Sequence, residues 1–258
     1  MESAGSPVAP AWVKRATWAV IALHATLLLV SLPDYRVSID SGYHVSLARW
    51  YAEHGTAFWD HINFGPGGRP NLQGPALHAA IGALGRLLGG TGDAYVLANA
   101  VLAVLQWAAA VFTAWWFARR WGGAVAALVA VSLLAGSAYA SAGFYVGVPS
   151  GWMFILTPWA IHFFLADRPL MAALFATLSI YVHLGGYLTA PFGIFLAALL
   201  TKRWRALAVT AGATILLTAP YTVHFLGNLA WYRGRRGAEA VWLSPLIYLP
   251  AAVGAVRL

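Results

Sequence analysis

Four of the eight carboxylates in this chain, Asp34, Asp40, Glu53 and Asp60, fall between Pro33 and Gln73, with His44, His54 and His61 among them and His78 shortly after. A carboxylate can take the proton of a hydroxyl nucleophile or steer a cation, and an imidazole can exchange protons near neutral pH. Together they can also bind zinc or manganese. The four histidines, however, are spaced by ten, seven and seventeen residues, which matches no metal-ligand signature, so polar surface histidines are the preferred reading. A second concentration of chemistry is basic: Tyr232 is followed by Arg233, Arg235 and Arg236. Guanidinium forks pair bidentately with phosphate, which suits an anionic headgroup, although a solvated charge run against lipid is the competing account. His183 and His224 sit in or at the ends of apolar runs, where an ionisable side chain marks a site by default. A neutral imidazole bonded to a backbone carbonyl would serve there equally well. His24 and His162 read as structural. The segment Gly65-Pro66-Gly67-Gly68-Arg69-Pro70 has the glycines of a phosphate-cradling loop without its Lys-Ser/Thr ending, and reads as a flexible loop.

The elements that must position these residues are set by composition. Sixty per cent of the chain is hydrophobic and 9% charged, whereas a soluble domain is about a quarter charged, so a soluble enzyme is excluded. The net charge of +8 is spread in pairs and triplets between apolar runs, as the positive-inside rule expects and as nucleic-acid binding does not. Zero cysteines exclude disulfides, thiolate metal sites and a cysteine nucleophile. The expectation is an all-α polytopic transmembrane bundle of about eight spans forming a single domain over 1–258. In it, 11–32 is the first span, 33–90 an outer loop with interfacial helices, and 93–258 the remaining spans.

Lys14 and Arg15 precede the first apolar run, which is long enough to remain as a helix, and they predict a cytoplasmic N-terminus. After Asp40, Tyr43, Leu47, Trp50 and Tyr51 fall on one helical face and Ser46, Arg49 and Glu53 on the other, predicting an amphipathic helix ending at Gly55. Gly74 to Gly90 is short, glycine-rich and interrupted by Arg86, and reads as a dipping or interfacial helix. Spans are then expected at Asp93–Phe117, Ala124–Tyr139 and Trp152–Ala166. Two more are expected in Leu170–Leu200, meeting near His183 to Thr189, followed by spans over Leu207–Leu226 and Val241–Val256. This arrangement puts nine of the sixteen basic residues inside, close to span ends. The Trp and Tyr abundance, including Trp115, Trp116, Trp121 and Trp231, reads mostly as an interfacial belt.

This layout resembles the GT-C superfamily of membrane glycosyltransferases, which includes protein mannosyltransferases, aminoarabinose transferases and oligosaccharyltransferase catalytic subunits. The residues carrying the resemblance are Ile39-Asp40-Ser41-Gly42-Tyr43-His44, the amphipathic Leu47-Ala48-Arg49-Trp50-Tyr51, the run Gln73-Gly74-Pro75-Ala76-Leu77-His78, then Leu87-Leu88-Gly89 and a span closed by Arg119-Arg120. Many members read Pro-Pro-Leu where this chain reads Gly-Pro-Ala-Leu, and Ala140 to Gly151 lacks the second acidic motif of cation-binding members. In layout the likeness covers about residues 10 to 230, and it corresponds to the N-terminal half of such an enzyme or to a reduced relative. It implies transfer of a sugar from a polyprenyl-phosphate donor to an acceptor on the outer face of a prokaryotic plasma membrane. It further implies Asp40 as the catalytic residue, with a divalent cation, Mg or Mn, as the one cofactor left open. Asp34, His44, Asp60, His61, His183, Tyr232, Arg233, Arg235 and Arg236 are the candidate substrate-binding residues. Asp40 could alternatively cap its helix, which is worth about 1 kcal/mol; its position in the motif and the nearby Asp34 favour the catalytic role. A noncatalytic membrane subunit packed against a partner chain is the alternative function. A transporter is disfavoured, because no intramembrane acid is present to couple ions.

Overall fold

The computed structural model describes residues 10–31, 39–56, 58–60, 62, 67–71, 73–136 and 148–229. Two compact units are formed, one from residues 1–56 and 77–155 and the other from 57–76 and 156–258.

In the first unit α1 (Ala11–Ser31) packs on α4 (Gly92–Gly136). The buried side of α1 carries Val13, Thr17, His24 and Leu28, while Leu23, Leu27, Leu29 and Val30 project outward, the last of them 72% exposed. A surface of large aliphatic side chains this continuous is stable against hydrocarbon, not water. The amphipathic α2 (Ile39–His54) also packs on α4. It is stopped by Gly55, whose φ of 84° is a left-handed value that glycine adopts without a Cβ penalty. Across from it lies α3 (Ala76–Leu87), ended by Gly89 and Gly90, after which the Thr91 hydroxyl accepts the Ala94 amide at 3.2 Å and caps α4.

Leu77 and Ile81 of α3 meet Ala48 of α2 and Ala98 of α4 in a small core. Contact is close because Gly82 has no side chain: a Cβ there would stand 2.6 Å from the Ala48 carbonyl oxygen. The Arg86 guanidinium donates to the Ala52 carbonyl at 3.0 Å one turn further along. Gly82→Ala is therefore expected to force α3 away from α2 and lower stability by about 1–3 kcal/mol, measured as a drop in thermal midpoint in detergent.

The second unit contains a two-residue antiparallel pairing of β1 (Trp59–Asp60) with β2 (Arg69–Pro70), then α6 (Pro169–Val182), α7 (Gly186–Thr201) and α8 (Trp204–Gly227). The helix preceding α6, α5 (Pro149–Leu165), gives its first residues to one unit and the rest to the other. Alanines dominate this core: Ala160, Ala172, Ala176, Ala190, Ala197 and Ala198 surround Phe164 and Ile194. Small side chains let helix backbones approach closely, which is how packing is won where lipid removes the hydrophobic drive between helices. On α8, Thr210, Thr214, Thr218 and Tyr221 form a buried stripe, and Ile215, Leu216 and Val223 point outward. Two of the hydroxyls bond to backbone carbonyls, Thr218 to Thr214 at 2.8 Å and Thr210 to Pro169 at 3.2 Å. Arg203 donates to the last carbonyls of α5, at 2.7 Å to Leu165, and so works as a helix terminator beside Asp167.

The chain is an α-helical membrane protein, and the eight expected spans are met only in part among the described residues. Among the described residues three helices are long and apolar enough to cross a bilayer: α1 over Ala11–Val30, α4 and α8. The run Leu170–Leu200 does split in two, at His183 to Gly185, into helices of 14 and 16 residues. At 1.5 Å per residue these extend about 21 and 24 Å, short of the roughly 30 Å of hydrocarbon. The expected spans Asp93–Phe117 and Ala124–Tyr139 meet in α4, which is interrupted at Gly123 (φ 78°, ψ −170°). The expected Trp152–Ala166 span corresponds to α5, with 17 residues and Pro158 inside it. Val241–Val256 lies outside the described residues.

Candidate functional site

The α2 helix carries the site of the first unit. His44, Leu47, Ala48 and Tyr51 recur at i, i+3, i+4 and i+7, and all four are buried. The buried face is thus rotated from the one expected from Tyr43, Leu47, Trp50 and Tyr51, since Tyr43 and Trp50 are only partly covered. On α3, His78 stands with Leu77, Ile81 and Gly82 on the face turned to α2.

The result is a buried imidazole pair. His44 Nδ1 and His78 Nε2 are 2.8 Å apart, with His44 5% and His78 0% exposed. Three rings of α2 surround His78: His44 at 5.0 Å between centroids, and Tyr43 and Tyr51 edge-on at 6.1 and 5.9 Å. At 2.8 Å one ring nitrogen donates and the other accepts, so the pair holds a proton between its rings in the neutral or singly charged state. A doubly charged pair would set two N–H groups against each other. His78 is fully buried, so the pair ties α2 to α3 without opening to solvent through that ring. Polar surface histidines, the reading of His44 and His78 from spacing alone, is corrected by this geometry.

Asp40 occupies the first turn of α2, one turn ahead of His44. The positive end of the helix macrodipole favours an anion there. On the opposite face the exposed Arg49 donates through Nε to Glu53 at 2.7 Å. That hydrogen bond holds the Glu53 carboxyl below its ordinary range and raises the Arg49 guanidinium; being fully solvated, the pair supports the helix and little else. His54 stacks on Trp50 at 3.8 Å.

Other candidates belong to the second unit. Asp60 is 1% exposed, and its Oδ1 accepts the Ile62 amide at 3.2 Å, closing a turn next to β1. His183 terminates α6 in extended conformation, and its Nδ1 accepts the Gly185 amide at 3.0 Å. His224, on α8, donates from Nε2 to the Asn71 carbonyl at 3.2 Å and stacks on Phe58 at 4.8 Å, while Asn71 donates its amide to Phe58. The contact fastens Asn71 to the end of α8. His24 accepts from the Trp107 indole at 2.9 Å inside the first unit. Asp34, His61, Tyr232, Arg233, Arg235 and Arg236 lie outside the described residues.

Among the described residues no group of three His, Cys, Asp or Glu side chains could hold a metal ion. The fold and site together define a membrane-embedded helical protein with a buried acid–base pair at its polar connection between α1 and α4. Comparison with protein-family models, curated proteins and solved structures returned no match.

Proposed function

We propose that this chain is an integral-membrane glycosyltransferase of the GT-C type, transferring a sugar from a polyprenyl-phosphate carrier to a hydroxyl acceptor at the outer membrane face. The observation that carries this reading is the His44–His78 pair beside the turn of α2 that bears Asp40, in the stretch whose residues resemble that superfamily. In the reaction the acceptor oxygen attacks the anomeric carbon, the bond from that carbon to the phosphate oxygen breaks, and polyprenyl phosphate leaves with the electron pair. The acceptor proton passes to Asp40. Arg233, Arg235 and Arg236, with Tyr232, are proposed to bind phosphate, and Asp34 to contact the acceptor.

A noncatalytic membrane subunit is the second reading. It is favoured by Asp60 and His183, whose polar atoms close local turns. The two are separated by incubating the purified chain in lipid nanodiscs with a panel of polyprenyl-phosphate hexoses and pentoses. Release of free polyprenyl phosphate, followed by mass spectrometry, is expected for at least one donor. Donor binding without release across the panel would give the chain to the subunit reading.

A further inference from the structure

We infer that Trp115, Trp116, Arg119 and Arg120 of α4 form a binding site for the phosphate of an anionic glycerophospholipid headgroup. These four residues line a surface pocket of about 310 Å³. The i, i+4 spacing brings each cation over a ring of its own helix: the Arg119 guanidinium lies 5.3 Å from the Trp115 ring centroid and that of Arg120 5.8 Å from Trp116. A guanidinium gives its face to the ring while its N–H donors point outward in the guanidinium plane. The ring's quadrupole holds the cation, and the N–H donors of both guanidiniums can serve a phosphate.

Charge balance points the same way. Arg49 and Arg203 each lie beside a carboxylate, Glu53 and Asp167, whereas among the described residues no acid pairs with Arg119 or Arg120. Lipid, not soluble phosphate, is the source because the pocket stands on apolar surface: Phe112 and Trp121 on the same helix are 50% and 57% exposed, and Trp rings settle at headgroup depth. Just beyond, Gly123 interrupts the helix, so the pocket borders a helix C-terminal end whose carbonyls repel an anion. Affinity must then come from the two guanidiniums, and their removal is decisive.

The test is native mass spectrometry of the purified full chain in nonionic detergent, titrated with phosphatidylglycerol, phosphatidylcholine or glycerol 3-phosphate. Phosphatidylglycerol is expected to bind about tenfold or more tightly than phosphatidylcholine, whose choline offsets the phosphate, and glycerol 3-phosphate to leave no adduct. Arg119→Gln with Arg120→Gln should erase the preference, and the Lys pair should restore part of it. Trp115→Ala with Trp116→Ala keeps both charges and should still weaken the lipid severalfold, which guards against misfolding of the arginine variant. Lys14→Gln with Arg15→Gln makes the same charge change elsewhere and should leave the preference intact. An unchanged preference in the Arg119/Arg120 Gln variant, equal loss in the Lys14/Arg15 variant, or equal binding of glycerol 3-phosphate would overturn the inference.

Discussion

Asp40→Asn is expected to lower sugar transfer by about 10²-fold or more while helical content and melting temperature stay close to those of the parent chain. The magnitude is that of removing a positioned general base. The small effect on folding follows from the place of Asp40 in the first turn of α2: losing an anion near a helix N-terminus costs about 0.3–1 kcal/mol, and Asn caps nearly as well as Asp. Activity is read as polyprenyl phosphate released per minute, folding as circular dichroism in the same detergent. Full activity in Asp40→Asn would reduce this carboxylate to a helix-terminal charge.

The imidazole pair should show coupled energetics. His44→Leu and His78→Leu each strip one partner from a buried hydrogen bond of 2.8 Å and are expected to destabilise by about 1–3 kcal/mol. Replacing both removes donor and acceptor together, so the double variant should lose clearly less than the sum of the two, by about 1 kcal/mol or more. Denaturant titration of the four proteins closes the cycle. Each single variant should also slow sugar transfer by about tenfold or more. If stability falls as expected and transfer does not, the pair holds α2 to α3 and does no proton work.

Much of this architecture was readable before any coordinates, and the failures have physical causes. Apolar runs identified α1, α4 and α8, and the phasing of Leu47 and Tyr51 with Gly55 beyond them marked α2 and its end. Hydropathy counts residues without regard to chain direction, so the Leu170–Leu200 run suggested two spans where a turn at His183 to Gly185 leaves two short helices. His44 was recognised as a candidate but placed on a polar surface. A helical register through Leu47, Ala48 and Tyr51 puts it on the buried side, and that signal was present. The partnership with His78 was not legible, because the two lie 34 residues apart and meet only when α3 folds back on α2. Nor could composition show that Asp60 closes a local turn or that His224 meets the distant Asn71 carbonyl.

Sugar transfer beside Asp40 of α2 is tested most directly by photoaffinity labelling. A polyprenyl-phosphate sugar carrying a diazirine on the sugar would be bound to the full chain in nanodiscs, irradiated, and the modified peptides mapped by mass spectrometry. The account predicts labelling concentrated in residues 39–54 and around His78, competed away by unmodified donor and retained in Asp40→Asn, where chemistry is lost and binding is not. Competed labelling confined to peptides outside residues 33–90 would contradict it.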